Sequence, residues 1–447
     1  MITQEDIRRL GAHIDYARSQ GASAARISLT RSCDDLVATL DGKVDKITHC
    51  EDSSISIALF VDGRFGRFST NKLEEDAVNG FIRKCCNIVR MLAPDECREL
   101  PGRDRVEKNA ASGNELGLND PGYQGITPED RIHTALEAAV SGKTGEENGC
   151  RIISEEGEYS DSIYDSVTMD SEGLFCRHTE TCYDYGVEVT VEDGNGEKFS
   201  AYWWTSSPEK SSFDPSACGM TAFRSAAAKA GAKAVRSGKY NMVIASDVAS
   251  KVVSPILTAL NGYDIQQNSS FLAGALGKKV FSEGFTIVDE ARIPGVYGSK
   301  LFDSEGVATK DTVIVENGTV RQFFLNTYMA NKLGLAPTVE DATHPKILPW
   351  PEKGLDREAI IRMCGNGILV TDFNGGNTNQ ATGDFSFGIE GFLFRNGKIL
   401  RPVCGMNATG NLNRLWNNLI AAGDDSRKCM SKMIPTLAFS GVDFSGE

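Results

Sequence analysis

The chain has 447 residues, 40% of them hydrophobic and 24% charged, with a formal net charge of −14. Such a length predicts two or three domains, because a single core rarely keeps growing beyond about 300 residues. The acidic balance, with no compensating run of Lys or Arg, argues against nucleic acids and anionic membranes as partners, and the lack of about 18 consecutive apolar residues or of a basic, apolar leader predicts a cytoplasmic protein.

Thr3 as N-cap and Gly21 as stop bracket a helix with Ile7, Leu10, Ile14 and Ala17 on one face. Strands are predicted at 25–30, 35–40, 43–49 and 54–61, and Asp62-Gly63 turns the last into 64–68. Helical period returns over 73–91. The stretch 93–126, rich in Pro, Gly, Asn and charge, reads as a long surface excursion. Thr127 with Pro128 then opens a helix to about Val140.

Strands follow near 150–153, 166–169, 174–183, 186–192 and 198–204, and a helix is predicted from Asp214-Pro215 to about Val235. Helix, meander, helix thus occurs twice within 1–238, either as a duplication or as a chance recurrence. From Tyr240 the pattern changes to strands joined by tight turns, notably Glu316-Asn317-Gly318 and Asn396-Gly397. Short helices at 326–333 and 411–422 are the exceptions. The expected fold class is α+β: an N-terminal α+β domain over 1–238 and a β-rich C-terminal domain over 239–447.

Val248, Val252, Val253, Ile256 and Leu260 recur at helical period over 247–260, which buries one face. Pro255 interrupts the pattern and predicts a kink, or a restart with Ser254 as N-cap. The segment contains no His, Cys or Glu, and Asp247 is its only carboxylate.

Other chemistry is sparse. No G-x-S-x-G elbow is present, and Gly274 to Lys279 matches a phosphate loop at too few positions. Cys176, His178, Glu180, Cys182 and Asp184 alternate along one strand, but successive members lie about 7 Å apart, so one tetrahedral ion takes at most two of them. Twelve cysteines without a CxxC pair read as small core residues of a reducing compartment. The run 365–392 is dense in Gly, Asn, Thr and Ser beside aromatic residues. It suits a groove where backbone approaches an extended peptide, with contact residues Asn374, Gly375, Gly376, Asn377, Thr382, Gly383, Asp384 and Ser386, or equally a tight β-domain with many turns.

Several segments over 240–447 carry a resemblance: Ser269 to Gly277, Phe285 to Asp289, Leu301 to Gly306, Val313 to Gly318, Gly367 to Asp372, Thr382 to Ser386 with Gly391-Phe392, and Gly423-Asp424 with Pro435-Thr436. Together they are similar to the TldD/PmbA family, also called modulators of DNA gyrase. The N-terminal half resembles it only in layout. The resemblance implies a cytoplasmic pair of related subunits, TldD and TldE (PmbA), acting as a zinc peptidase on unfolded or small peptides. In the TldD type a His-Glu-x-x-x-His motif supplies two zinc ligands and a general base, and a C-terminal thiolate supplies the third ligand.

Counted back without gaps from Ser269-Ser270, that motif falls on Val253 to Thr258, with Val253, Ser254 and Thr258 at the functional positions. The implied reading is a TldE/PmbA-type subunit with no metal of its own, Cys429 being a vestigial thiol. Zinc is expected in a TldD-like partner, and a homodimer is open to the chain when alone. The competing readings are a self-sufficient peptidase using Cys429 or the Cys176/His178 face, and a non-proteolytic regulator that binds gyrase or another protein.

Overall fold

The structure, a computed structural model, describes residues 1–140 and 145–446. The N-terminal half is built from α1 (Gln4–Ser19), β1 (Ala24–Leu40), β2 (Lys43–Val61), β3 (Arg64–Thr70), α2 (Glu75–Val89), α3 (Pro128–Ala138), β4 (Arg151–Asp170), β5 (Phe175–Glu192), β6 (Lys198–Ser207) and α4 (Cys218–Ala227). Thr3 and Thr127 each close a capping box, with Asp6 and Asp130 respectively. The strands form one antiparallel sheet in the order β3-β2-β1-β4-β5-β6. α1 and α2 cover β1 to β3 through Leu10, Ile14, Ile57 and Ile82, and α3 and α4 cover β4 to β6 through Ala135, Val187, Val189 and Phe223.

Three expectations need correction here. Pairs of predicted strands fuse: β1, β2, β4 and β5 run unbroken for 17 to 20 residues, because polar stretches such as 31–35 and 50–54 stay in register with their neighbours. The helix predicted over 214–235 is regular only over α4. The excursion 93–126 is no free surface loop. Val106, Ala110, Leu118 and Tyr123 are buried, and its carbonyls at Ala110, Gly113 and Leu118 accept from the amides of Arg177, Thr179 and Thr181 on β5.

The C-terminal half contains β7 (Gly238–Ile244), α5 (Ser250–Ala259), α6 (Gly262–Gln266), β8 (Ile287–Asp289), β9 (Thr312–Glu316), β10 (Thr319–Val320), α7 (Thr327–Leu333), β11 (Pro345–Ile347), α8 (Arg357–Cys364), β12 (Gly367–Thr378), β13 (Asp384–Arg395), β14 (Lys398–Asn411), α9 (Leu412–Asn417), β15 (Leu419–Ala422) and β16 (Leu437–Ser445). It is the β-rich region the sequence predicts, and the whole is an α+β fold. The sheet β14-β13-β12-β7-β16-β15 curls until β14 also pairs with β16, and β8 to β11 form a smaller sheet. Asn317-Gly318 and Asn396-Gly397 have positive φ, as two-residue hairpin turns require. The predicted helix over 411–422 is instead α9 followed by β15, since Leu419 to Ala422 pairs with β16.

α5 lies in the largest core. Val252, Val253, Ile256 and Leu257 pack among Phe285, Phe387, Trp416 and Phe439, and the Trp416 indole donates to the Val252 carbonyl at 3.2 Å. Of the kink or restart expected at Pro255, the restart does not occur: one helix runs through it, and its N-cap is Ala249 rather than Ser254. A proline here removes the donor that would reach the Lys251 carbonyl and crowds that turn, and the buried apolar face outweighs the cost. Among the described residues no helix is long and apolar enough to cross a membrane.

Candidate functional site

The outer face of α5 lines a groove of about 620 Å³ together with the far ends of β12 and β13. Lys251, Ser254, Pro255 and Thr258 form one wall and Phe373, Gly376, Asn377 and Phe387 the other. Gln380 ties the walls together by donating to the Pro255 carbonyl at 3.0 Å. The Lys251 ammonium sits 5.2 Å from the Phe387 ring centre and 3.5 Å from the Gly376 carbonyl. Ser254 and Thr258 also line a second hollow of about 300 Å³, across which stand Asp341, Thr343, Ser431 and Lys432.

Val253, Ser254 and Thr258, the three positions on which the expected motif would fall, separate in space. Ser254 and Thr258, one turn apart, face the grooves, and the Thr258 hydroxyl donates to the Ser254 carbonyl at 3.1 Å. Val253 is fully buried in the core, so the ungapped count puts one ligand position on the wrong side of the helix. No His, Cys or Glu stands on the outer face of α5. The groove therefore does not fit a zinc ion.

Of the contact residues expected in 374–386, Gly376 and Asn377 line the groove. Gly376 has φ +81°, and a Cβ there would lie 1.9 Å from the Ser386 carbonyl oxygen, so only glycine passes. Asn374 donates to Glu390, beside the bulge at Gly375, and Ser386 is paired within the sheet. Thr382, Gly383 and Asp384 form the turn before β13, where Thr382 and Asn411 donate to the Asp384 carboxylate and hold its pKa below the ordinary range. β12 pairs with β7 only over Ile368 to Val370, leaving its edge from Asp372 to Thr378 without a strand partner among the described residues.

The other candidates lie elsewhere. The Cys429 carbonyl accepts from Ser206 on β6, and the residue is partly buried. His178 pairs with Glu180 at 3.1 Å and Cys182 with Asp184 at 3.0 Å, two separate contacts rather than one centre. Burial pushes the Cys176 thiol up to about 12, which keeps it protonated and poorly nucleophilic. Among the described residues one group of three potential ligands converges, Cys33, Asp35 and His49. Its carboxylate is already bound by Arg131 and His49, each at 2.8 Å, on the N-terminal sheet. Sequence reading passed over it because β1 and β2 bring the three together across a ladder. The wall residues Phe373 and Gln380 fall within the 365–392 run but were not singled out there, and Lys251 was missed because nothing in its local sequence marks it.

Comparison with known proteins agrees with this architecture. Residues 123–237 match the central domain, and residues 237–446 the C-terminal domain, of the PmbA/TldA metallopeptidases. The metalloprotease PmbA of Escherichia coli O157:H7 is 26% identical over 94% of this chain and 93% of its own. The crystal structure of a candidate modulator of DNA gyrase from Bacteroides thetaiotaomicron superposes with a TM-score of 0.94 at 37% identity, covering 100% of both chains. That of TldE from Thermococcus kodakarensis shares the fold, with a TM-score of 0.82 at 18% identity over 98% of this chain and 100% of that one. With both family domains matched in order and a relative aligned end to end at 37% identity, the chain belongs to the PmbA/TldD metallopeptidase family.

Proposed function

We propose that this chain is a non-catalytic subunit of the TldE/PmbA type, which joins a TldD-like, zinc-bearing subunit in the processing of unfolded or small peptides. The observation that carries this reading is the outer face of α5, which presents Lys251, Ser254 and Thr258 to a substrate-sized groove and no metal ligand or general base. Zinc-assisted attack of water on the scissile carbonyl is accordingly assigned to the partner, and this chain contributes binding.

The unpaired edge of β12 is where that binding occurs. An extended peptide adds there through backbone hydrogen bonds, with Phe373 and Phe387 beneath its side chains and Lys251 beside it. The name given to the Bacteroides relative supports a second reading, a protein-binding regulator without proteolysis.

Light scattering on this chain mixed with a TldD-like subunit separates the two. A defined heteromeric complex is expected, and Lys251→Glu is expected to weaken peptide binding to it several-fold without dissociating it. Two subunits that elute independently at micromolar concentration would count against the proposal.

A further inference from the structure

A larger cavity, about 720 Å³, opens between β6 and α4 on one side and α8, β12, β13 and β14 on the other. It meets the α5 groove at Val248 and Asp372, which line both. One wall is Tyr202, Trp203 and Trp204. The rings of Tyr202 and Trp204 stack with centres 6.0 Å apart, and the Arg427 guanidinium lies 4.1 Å and 4.2 Å from the centres of Trp203 and Trp204. That cation fixes the aromatic wall before a ligand arrives.

The lining carries five cations against three carboxylates, an excess of basic charge on a chain whose net charge is −14, and Arg357 is engaged with Glu358 at 3.6 Å. Lys229 is engaged with Asp372 at 3.3 Å and Glu390 at 2.8 Å. Arg224, Arg362 and Lys398 are exposed, and among the described residues their side chains have no ion pair or hydrogen bond. Asp247, on the cavity lining, makes no hydrogen bond to another residue among the described residues, and burial raises its pKa.

The cavity thus brings together three things a ligand can use: apolar surface, three cations free to bind acceptors and one carboxylate without a hydrogen-bond donor among the described residues. A simple anion uses only one of them. A peptide carrying acidic side chains next to an aromatic one uses all three, with its carboxylates at the cations, its ring on the aromatic wall and a backbone N–H at Asp247. We propose that this cavity is a docking site for an acidic, aromatic-containing segment of the peptide substrate. The proposal deepens the peptide-handling reading by naming the class of peptide, and the continuity at Asp372 lets one chain occupy the cavity and the β12 edge together.

The test uses the full chain without partner or metal. Tryptophan fluorescence is followed while blocked peptides are added, acetyl-Glu-Phe-Glu-Phe-Glu-amide and its counterpart with Lys for Glu. Two of the four tryptophans line the cavity, so binding changes the signal. Saturable binding of the acidic peptide is expected, at least tenfold tighter than the basic one and weakened by salt. Arg224→Glu with Arg362→Glu should reduce affinity at least tenfold with an unchanged circular dichroism spectrum, and Lys398→Glu serves alone if the double variant misfolds.

Equal affinity for the two peptides, binding of neither, or undiminished affinity in the variants would overturn the proposal. Because no partner or cleavage is involved, failure here is distinguishable from failure of complex formation.

Discussion

His344 shows how burial of one side chain couples stability to pH. It is 1% exposed, and among the described residues neither ring nitrogen has a hydrogen-bond partner, although its backbone N–H donates to Asp289 at 2.6 Å. Burial holds its pKa below the ordinary 6.5, so the folded chain keeps the ring neutral where the unfolded chain would protonate it. As pH falls below about 6.5 the unfolded state binds the proton first, and stability declines. The urea midpoint should therefore drop between pH 7.5 and 5.5 more in the wild type than in His344→Leu, and parallel declines would contradict this account. At this level the sequence was informative about absence: the missing histidines and glutamate of the motif are legible directly. Which of Val253, Ser254 and Thr258 faces the groove depends on helix phase and on what packs behind it. A count of positions does not carry that information.

The helix α5 and the long strands show what local pattern can and cannot decide. The Asn-Gly and Asp-Gly turns and the Thr3 and Thr127 caps were readable because each acts through its nearest neighbours. The unbroken length of β1 and β2 was not, because register with adjacent strands sustains polar stretches in which apolar alternation lapses. Likewise Pro255 predicts a kink or a restart from local sterics, yet α5 does not restart there because Val252, Val253, Ile256 and Leu257 are already committed to the core. The Lys251 carbonyl still lacks its helical donor. Pro255→Ala should thus stabilise the chain by about 1–2 kcal/mol, below the roughly 3 kcal/mol penalty of an interior helix proline. Urea unfolding measures it, and destabilisation would mean that the surroundings are shaped around the proline ring.

The two halves of the molecule are joined by more than the chain passing from α4 to β7. The segment 93–126 lies along β5 and reaches the C-terminal half, where Arg292 pairs with the buried Glu107, Arg105 donates to the Thr338 carbonyl at 2.6 Å and the Tyr328 hydroxyl donates to Asp95 at 2.9 Å. Glu107 also accepts the amides of Lys108 and Asn109 at 2.8 Å and 2.7 Å. Arg292→Ala leaves that carboxylate buried without its countercharge, at a cost of about 3 kcal/mol, the low end for a buried pair because Arg292 is itself one-third exposed. Faster proteolytic nicking within 93–126 is expected, and an unchanged cleavage pattern would argue against a bracing role. A second joint lies at the β12 region, where Lys229 pairs with Asp372 and Glu390 and Arg427 lies over Trp203 and Trp204, and there the aromatic cavity meets the α5 groove.

The most direct measurement is hydrolysis of an unstructured peptide by this chain alone, by a TldD-like subunit alone and by the two together, each with and without a zinc chelator. The account predicts no cleavage by the lone chain at any zinc concentration and chelator-sensitive cleavage by the pair exceeding that of the partner alone. Cleavage by this chain alone, abolished by chelator, would contradict it.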